Sequence, residues 1–275
     1  MNKPLAIGIA GCGSIGSSLA RIVSSSGDFA GKAAVAGLFD TETEKAYRLA
    51  GEIRDQKAAV LTLDELIQRS ELIVEASHAD SAYAIARKVL SAGRSILIMS
   101  VGGIIDHFLE LEALAGGKNA RVLIPSGAVL GIDGLKAAGC GKIAKVTLTT
   151  RKPPQAFIGV PYVLNKKIRL DAVAEDTVLF EGDALSAVKA FPQNINVASV
   201  LSIAGIGPKQ THVRIVASPS VSRNTHEIEI ESDAGRFFTR SENVIQADNP
   251  KTSYLAVLSA VAVLKQAVRP MQVGT

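Results

Sequence analysis

Two kinds of segment, one with the apolar pattern of a strand and one with that of a helix, follow each other in turn along the first half of the chain. Short apolar runs typical of buried strands occupy residues 7–10, 33–40, 71–76, 93–100 and 120–125. Segments with the apolar spacing of a helix lie between them, at residues 17–23, 62–70, 82–92 and 107–115. Strands that alternate with helices across short loops predict a doubly wound parallel sheet with helices on both faces.

The second half of the chain has a different pattern. Apolar and polar residues alternate with a period of two in four segments, at residues 145–150, 211–217, 226–231 and 236–240. These segments are richer in threonine and charged residues than the earlier runs. Such alternation predicts half-buried strands in a mainly antiparallel sheet with one covered face.

The last apolar segment indicates how the chain divides. Residues 251–267 have the pattern of a long apolar helix, and the Asn-Pro-Lys-Thr-Ser sequence at 249–253 is typical of a helix start. A helix this apolar does not stand alone and is expected to pack onto the first domain. We therefore predict an α/β domain of residues 1–125 and 246–275, and a smaller α+β domain of residues 126–245.

A glycine-rich turn joins the first strand to the first helix. Gly11, Gly13 and Gly16 form a G-x-G-x-x-G motif that also contains Ser14 and Ile15. In a Rossmann fold this turn binds a dinucleotide pyrophosphate, because its glycines allow a tight turn, close approach of the phosphates and close helix packing. The helix N-terminus adds free N–H groups. A glycine turn without a ligand is the alternative, and we favour the cofactor site.

Asp40 bears on the choice of cofactor. It ends the second strand, near the spacing of roughly 20 residues expected for the acid that binds the ribose hydroxyls. A carboxylate there repels a 2′-phosphate, so NAD is favoured over NADP. Thr41 follows instead of an arginine, and the next basic residue is Lys45, which leaves some tolerance of NADP.

Composition narrows the class of protein. The chain has 275 residues, of which 47% are hydrophobic, and no apolar run approaches the ~20 residues that span a bilayer. Its net charge of +4 is scattered and it has no tryptophan, so no nucleic-acid surface is indicated. Cys12, a small filler of the turn, and Cys140 are too few for a disulfide framework or a thiolate metal site. We expect a cytoplasmic protein without a bound metal.

Histidines are the candidates for moving a proton near neutral pH. The chain has four of them, His78, His107, His212 and His226. In a strand, His226 shares one face with Ile228 and Ile230, which places a titratable group at the edge of the core. Taken alone, it is either a proton-transfer group or a core histidine with satisfied hydrogen bonds. His212 alternates with the apolar positions of its strand, which favours a polar role. His78 is interpreted as a loop residue, with a contact to cofactor or substrate as the alternative, and His107 as a structural or surface residue.

Several blocks outside the glycine turn resemble the L-aspartate dehydrogenase family over nearly the whole chain. The most specific are the Pro-Ser-Gly-Ala block at 125–128 and the Asn-Ile-Asn-Val-Ala block at 194–198. The other blocks are residues 74–77, 99–103, 131–135, 150–154, 224–228 and 249–253. The sequence is therefore similar to that of an amino-acid dehydrogenase with a Rossmann domain and an α+β domain.

The resemblance implies a reaction and a cofactor. Family members oxidise L-aspartate to iminoaspartate, which hydrolyses to oxaloacetate and ammonia, and they also catalyse the reverse amination. They use NAD or NADP, and some serve NAD biosynthesis. They are generally dimers, so a homodimer with small-molecule substrates, and neither a nucleic acid nor a membrane as partner, is expected.

The resemblance also implies roles for particular residues. His226 matches the catalytic histidine, which favours the proton-transfer interpretation over the core histidine. Ala128 and Asn196 match cofactor contacts near the nicotinamide, and Asn194 competes with Asn196 because the motif contains two asparagines. The block at 74–77 places Ala76 and Ser77 at the cofactor as well.

Two cations near the end of one strand could bind a substrate carboxylate. Arg151 would act as a bidentate fork and Lys152 as a point charge. A solvated strand end is the equally weighted alternative.

Two rival functions stay open from the sequence. One is another Rossmann reductase with an α+β domain, resembling homoserine dehydrogenase or dihydrodipicolinate reductase. The other is a protein that binds NAD without turnover. The asparagine block at 194–198 and the histidine block at 224–228 favour the aspartate enzyme over both.

Overall fold

The computed structural model describes residues 3–53, 58–191, 196–246 and 249–274. These residues form two compact units. The first comprises the described residues up to Pro125 together with Val257–Gln272, and the second comprises Ser126–Ala256 and the described residues from Val273. Among the described residues, no helix combines the length and apolarity that a membrane crossing requires.

The first unit contains a six-stranded parallel sheet. Its strands are β1 (Leu5–Ala10), β2 (Ala33–Phe39), β3 (Ala59–Val60), β4 (Leu72–Glu75), β5 (Ser95–Ile98) and β6 (Val122–Leu123). They lie in the order β3-β2-β1-β4-β5-β6, so the direction of winding reverses between β1 and β4. All four residues of β4 are buried, as expected for a central strand covered on both faces. The predicted doubly wound sheet is confirmed.

Helices follow the strands of this unit, and each except the second corresponds to a segment of predicted helical spacing. They are α1 (Ser14–Ser25), α2 (Thr43–Glu52), α3 (Leu63–Arg69), α4 (Ala79–Ser91) and α5 (Phe108–Gly117). The start of α3 shows most clearly how the local sequence determines where a helix begins. The Thr62 hydroxyl oxygen accepts a hydrogen bond from the Glu65 backbone N–H, and the Glu65 carboxylate accepts one from the Thr62 backbone N–H, which forms a capping box.

The second unit contains a five-stranded mixed sheet. Its strands are β7 (Ile143–Lys152), β8 (Thr177–Asp183), β9 (His212–Ala217), β10 (Asn224–Ser232) and β11 (Gly235–Asn243). They lie in the order β11-β10-β7-β9-β8. The β11–β10, β10–β7 and β8–β9 pairs are antiparallel, whereas β7 and β9 are parallel. The prediction of a mainly antiparallel sheet is confirmed, and the parallel pair is an addition to it.

One face of this sheet is covered by helices of the same unit. These are α6 (Ile132–Ala138), α7 (Pro161–Asn165), α8 (Ala184–Ala190) and α9 (Asn196–Ala204). Leu148 of β7 and Ile228 of β10 are paired across the strands and pack in the same apolar cluster as Leu201 of α9. The alternation of apolar and polar residues therefore sorts the strands into a core face and an outer face.

The predicted start of the last helix is wrong. A short hairpin of β12 (Ile245–Gln246) and β13 (Asn249–Ser253) precedes α10 (Tyr254–Val268). The residues that resemble a helix cap are strand residues because Ser253 pairs with Ile245 and the Tyr254 backbone N–H donates to the Val244 carbonyl. Within α10, the residues from Val257 onward pack in the core of the first unit.

Candidate functional site

The glycine turn follows β1 at the carboxyl end of the parallel sheet. Gly11 has φ of +101°, and a Cβ atom there would lie 2.4 Å from the Ala76 carbonyl oxygen. A Cβ atom on Gly16 would lie 1.9 Å from the Gly11 carbonyl oxygen. At Gly13, by contrast, a Cβ atom would find no described atom within 4 Å. The fold itself requires two of the glycines, and the third leaves open space at the point where a ligand would approach.

The N-terminus of α1 is suited to an anion. No side chain caps it, and its first turn carries no acidic residue. The Ser14 hydroxyl oxygen is buried and has no hydrogen-bond partner among the described residues. Ile15 packs against the apolar core, so the turn is anchored on its inner side. Free N–H groups, the positive end of the helix dipole and an unpaired hydroxyl together fit the pyrophosphate of a dinucleotide.

Asp40 is fixed against this turn. Its Oδ2 atom accepts a hydrogen bond of 2.7 Å from the Cys12 backbone N–H, and its Oδ1 atom accepts one of 2.8 Å from the Glu42 N–H. The carboxylate therefore lies at the carboxyl end of β2, beside the turn. Burial, together with the charge of Asp40, raises the pKa of the Cys12 thiol to about 12, so this cysteine is a filler and not a nucleophile.

A buried carboxylate at the end of β4 organises the next loop. Glu75 is fully buried and accepts hydrogen bonds from the Ser77 N–H (2.8 Å), the Ser77 hydroxyl (2.6 Å) and the Ser100 N–H (3.0 Å). It thereby joins the ends of β4 and β5. Ala76 lies against Gly11, so Ala76 and Ser77 border the glycine turn. Sequence reasoning did not identify the role of Glu75, although an acidic residue closing an apolar strand was the available signal.

His226 lies in the second unit, near the start of β10. It is 5% exposed, and its Nδ1 atom is 3.0 Å from the Thr150 hydroxyl of the paired strand. Burial, together with the smaller effect of the nearby positive charge of Lys152, lowers the pKa of His226 to about 3. The imidazole is therefore neutral at neutral pH. The predicted common face with Ile228 and Ile230 is present, since all three are buried.

Polar groups gather at this end of the core face. The strand register places Ser241 of β11 opposite His226 and Asn243 opposite Asn224. The Ser241 hydroxyl (3.2 Å) and the Asn243 side-chain amide (2.9 Å) both donate to the carbonyl oxygen of Ala128. The loop that carries Ala128 is thereby tied to the strand next to His226.

The asparagine block is partly described. Asn196 is the first residue of α9 and its side chain is exposed. Val197 and Ala198 follow it and pack in the same apolar cluster as Ala128. Asn194 lies outside the described residues. Asn196 and Ala128 therefore belong to elements that share one core.

The two cations at the end of β7 lie on opposite faces of the sheet. Arg151 forms ion pairs with Asp176 (3.0 Å) and with Glu227 on the outer face. Lys152 is 8% exposed and lies on the face of Thr150 and His226. Of the two candidates for a substrate carboxylate, only Lys152 is on the side of the histidine.

The other histidines have the environments that the sequence suggests. His212 lies on the outer face, 2.9 Å from a carboxylate oxygen of Glu181. His107 stacks on Tyr83 with a centroid separation of 4.0 Å, and His78 is exposed immediately before α4. Among the four, His226 alone is buried.

Family models match both halves of the chain. The model described as "Aspartate dehydrogenase, C-terminal" matches residues 133–267. The model described as "Homoserine dehydrogenase, NAD binding domain" matches residues 11–125. Together they cover the glycine turn, Asp40 and His226.

Similar proteins match over nearly the full length. The chain is 45% identical to the L-aspartate dehydrogenase of Methanosarcina mazei, covering 98% of this chain and 100% of that protein. It is 38% identical to the L-aspartate dehydrogenase of Bradyrhizobium diazoefficiens, covering 100% and 95%. The crystal structure of aspartate dehydrogenase from Thermotoga maritima has a TM-score of 0.75 at 23% identity, covering 98% of this chain and 99% of that one, and supports the fold.

Proposed function

The chain belongs to the L-aspartate dehydrogenase family, and from that premise we propose how its residues carry out the reaction. The protein is an oxidoreductase that interconverts L-aspartate with iminoaspartate, and hence with oxaloacetate and ammonia, using a nicotinamide cofactor. The observation that carries this function is the 45% identity to a relative over 98% of the chain. The buried histidine beside a polar strand end supplies a matching chemical group.

In this proposal the first unit holds the adenosine half of the cofactor. The N–H groups at the start of α1 and the Ser14 hydroxyl bind the pyrophosphate, for which Gly13 leaves room. Asp40 accepts hydrogen bonds from the ribose hydroxyls, since each of its oxygens has a further lone pair beyond its one backbone donor. Ala76 and Ser77 line the same edge of the sheet. When bound, the cofactor supplies or accepts a hydride.

We assign the nicotinamide contacts to Ala128 and to Asn196, with Asn194 as the competing residue. Two donors hold the Ala128 carbonyl, so the position of this loop is fixed before any ligand binds. Small residues at 126–128 permit the close approach of a planar ring. Pre-organisation of this kind lowers the entropic cost of binding.

His226 acts as the general acid and base of the proposed mechanism. In the tautomer that donates Nδ1–H to the Thr150 hydroxyl oxygen, the Nε2 atom carries a lone pair and can accept a proton. In the direction of deamination, it takes a proton from the water that adds to the imine carbon. It returns this proton to the nitrogen, which gives the carbinolamine. It then moves the hydroxyl proton of the carbinolamine to the same nitrogen, so that the carbonyl group forms as the C–N bond breaks and ammonia leaves. A neutral resting imidazole suits the first of these steps.

The choice between NAD and NADP is expected to depend on Asp40. We propose that NAD is preferred, and that Asp40→Asn lowers the ratio of kcat/KM for NAD to that for NADP by about tenfold, because it removes the charge that repels a 2′-phosphate. The measurement is the initial rate of aspartate oxidation with each cofactor. A general loss of activity lowers kcat/KM for both cofactors alike, so it does not change their ratio. An unchanged ratio would contradict the role of Asp40.

The same rate assay, run with homoserine as well as aspartate, distinguishes the proposed aspartate dehydrogenase from a reductase of the homoserine dehydrogenase kind. The match of residues 11–125 to a homoserine dehydrogenase NAD-binding model is the observation that favours a reductase of that kind. If the protein turned over homoserine but not aspartate, homoserine would be the substrate in place of aspartate. Binding of NAD without any turnover would favour a non-catalytic protein.

We propose that the protein is a homodimer that uses the outer face of the second sheet. Phe238 of β11 is 58% exposed and Val178 of β8 is 43% exposed, and the register places both on the face opposite His226. Light scattering is expected to give twice the mass of the chain, and Phe238→Glu is expected to shift it toward the monomer. Leu109→Glu, at an exposed position of α5, is the matched control. A monomeric wild-type protein would overturn the proposal.

A further inference from the structure

Lys152 is a deeply buried cation of the second unit. It is the last residue of β7 and is 8% exposed. Burial lowers the pKa of its ammonium group to about 8. Lysine side chains are seldom this deeply buried, because removing the ammonium group from water is unfavourable. A buried lysine whose pKa is lowered is a candidate functional group.

The strand register places Lys152 beside the proposed catalytic group. It is two residues from Thr150, on the same face, and Thr150 contacts His226 across the strand pair. Its paired residue on β9 is Ala217, and Ile215 lies opposite Thr150. The positive charge of Lys152 is close enough to His226 to lower the pKa of the imidazole.

On the described strands β7, β9 and β10, the other charged side chains lie on the outer face. Arg151 forms ion pairs with both Glu227 and Asp176 on the outer face. The loop at residues 126–131 and helix α9 contain no ionisable side chains. Of the titratable groups on β7, β9 and β10, His226 is the one that lies on the core face beside Lys152.

We propose that the ammonium group of Lys152 binds a carboxylate of the dicarboxylate substrate next to His226. This inference rests on the proposed function, because it takes L-aspartate as the substrate. A hydrogen bond between an ammonium and a carboxylate is charge-assisted and gains strength in a site of low dielectric constant.

Binding of the substrate carboxylate to Lys152 would also make His226 more basic. In the free protein the positive charge of Lys152 opposes protonation of His226. A substrate carboxylate on Lys152 offsets that charge, so the imidazole accepts a proton more readily once the substrate is bound. The same contact would therefore select a carboxylate substrate and prepare His226 for its step.

The test measures the binding of succinate, a dicarboxylate with no amino group, by calorimetry in the presence of NAD. Lys152→Met keeps the length of the side chain and removes its charge, and it is expected to raise the Kd for succinate by about 10- to 100-fold. Lys145→Met, on the outer face of the same strand, is the control and is expected to leave the Kd unchanged. An unchanged Kd in Lys152→Met would overturn the proposal.

The pH dependence of wild-type binding gives a second readout that needs no variant. Succinate is fully ionised above about pH 6.5, so its affinity should fall as the pH rises through about 8, where Lys152 loses its proton. Affinity that stays constant to about pH 9.5 would overturn the proposal even where Lys152→Met does not fold. These measurements do not require turnover, so a protein that binds succinate through Lys152 but fails to oxidise aspartate would contradict only the proposed function.

Discussion

Replacement of His226 by alanine or glutamine is expected to lower kcat for aspartate oxidation by about 10²- to 10⁴-fold, the usual contribution of a positioned proton-transfer group. The imidazole is neutral, buried and held at Nδ1 by Thr150, so it is ready to accept a proton at its other nitrogen. Neither replacement can accept and return a proton near neutral pH. Initial rates at saturating aspartate measure the effect, and thermal unfolding and NAD titration establish that the variants are folded and bind the cofactor.

A second histidine of the same sheet provides the control. His212 lies on the outer face and contacts Glu181, so His212→Gln is expected to leave kcat within about twofold of the wild type. Thr150→Val retains the imidazole and removes the group that holds its Nδ1, and a loss of about tenfold is expected. If His226→Ala retained the wild-type rate while folded, the proton would have to move through another group.

The elements of the fold were predictable where local pattern and tertiary structure agree. Each predicted strand of the first half is present, because strands buried on both faces are apolar almost throughout. The glycine turn was equally clear, since Gly11 and Gly16 occupy positions where the neighbouring backbone leaves no room for a side chain. Period-two alternation placed His226 on the core face with Ile228, and the burial of both confirms this.

The features that could not be predicted from the sequence depend on contacts between residues that are far apart in the chain. The start of α10 was misplaced because Ser253 pairs with Ile245, and this pairing outweighs the local preference of a helix cap. Arg151 and Lys152 lie on opposite faces because β7 continues through both of them, two residues beyond the predicted strand end at residue 150. The parallel pairing of β7 with β9 likewise leaves no local signal.

The glycines of the turn allow fold and cofactor binding to be separated. Gly13→Ala is expected to weaken NAD binding by about 5- to 150-fold, corresponding to roughly 1–3 kcal/mol for a methyl group forced into a close contact. The same change is expected to leave thermal stability nearly unaltered, because Gly13 has φ of −71° and open space around its Cβ position. Calorimetry with NAD and thermal unfolding measure the two effects on the same sample.

Two further glycine-to-alanine changes define what the result would mean. Gly51 lies in α2, and an alanine Cβ atom there would also have no described atom within 4 Å. Gly51→Ala is therefore expected to leave the affinity for NAD unchanged and to raise the stability of the helix slightly. Gly16→Ala brings a Cβ atom to 1.9 Å from the Gly11 carbonyl, and it is expected to destabilise the first unit by more than about 1–3 kcal/mol. If Gly13→Ala bound NAD as the wild type does, the open space at Gly13 would not be where the pyrophosphate approaches, and the cofactor would have to be held at another part of the sheet edge.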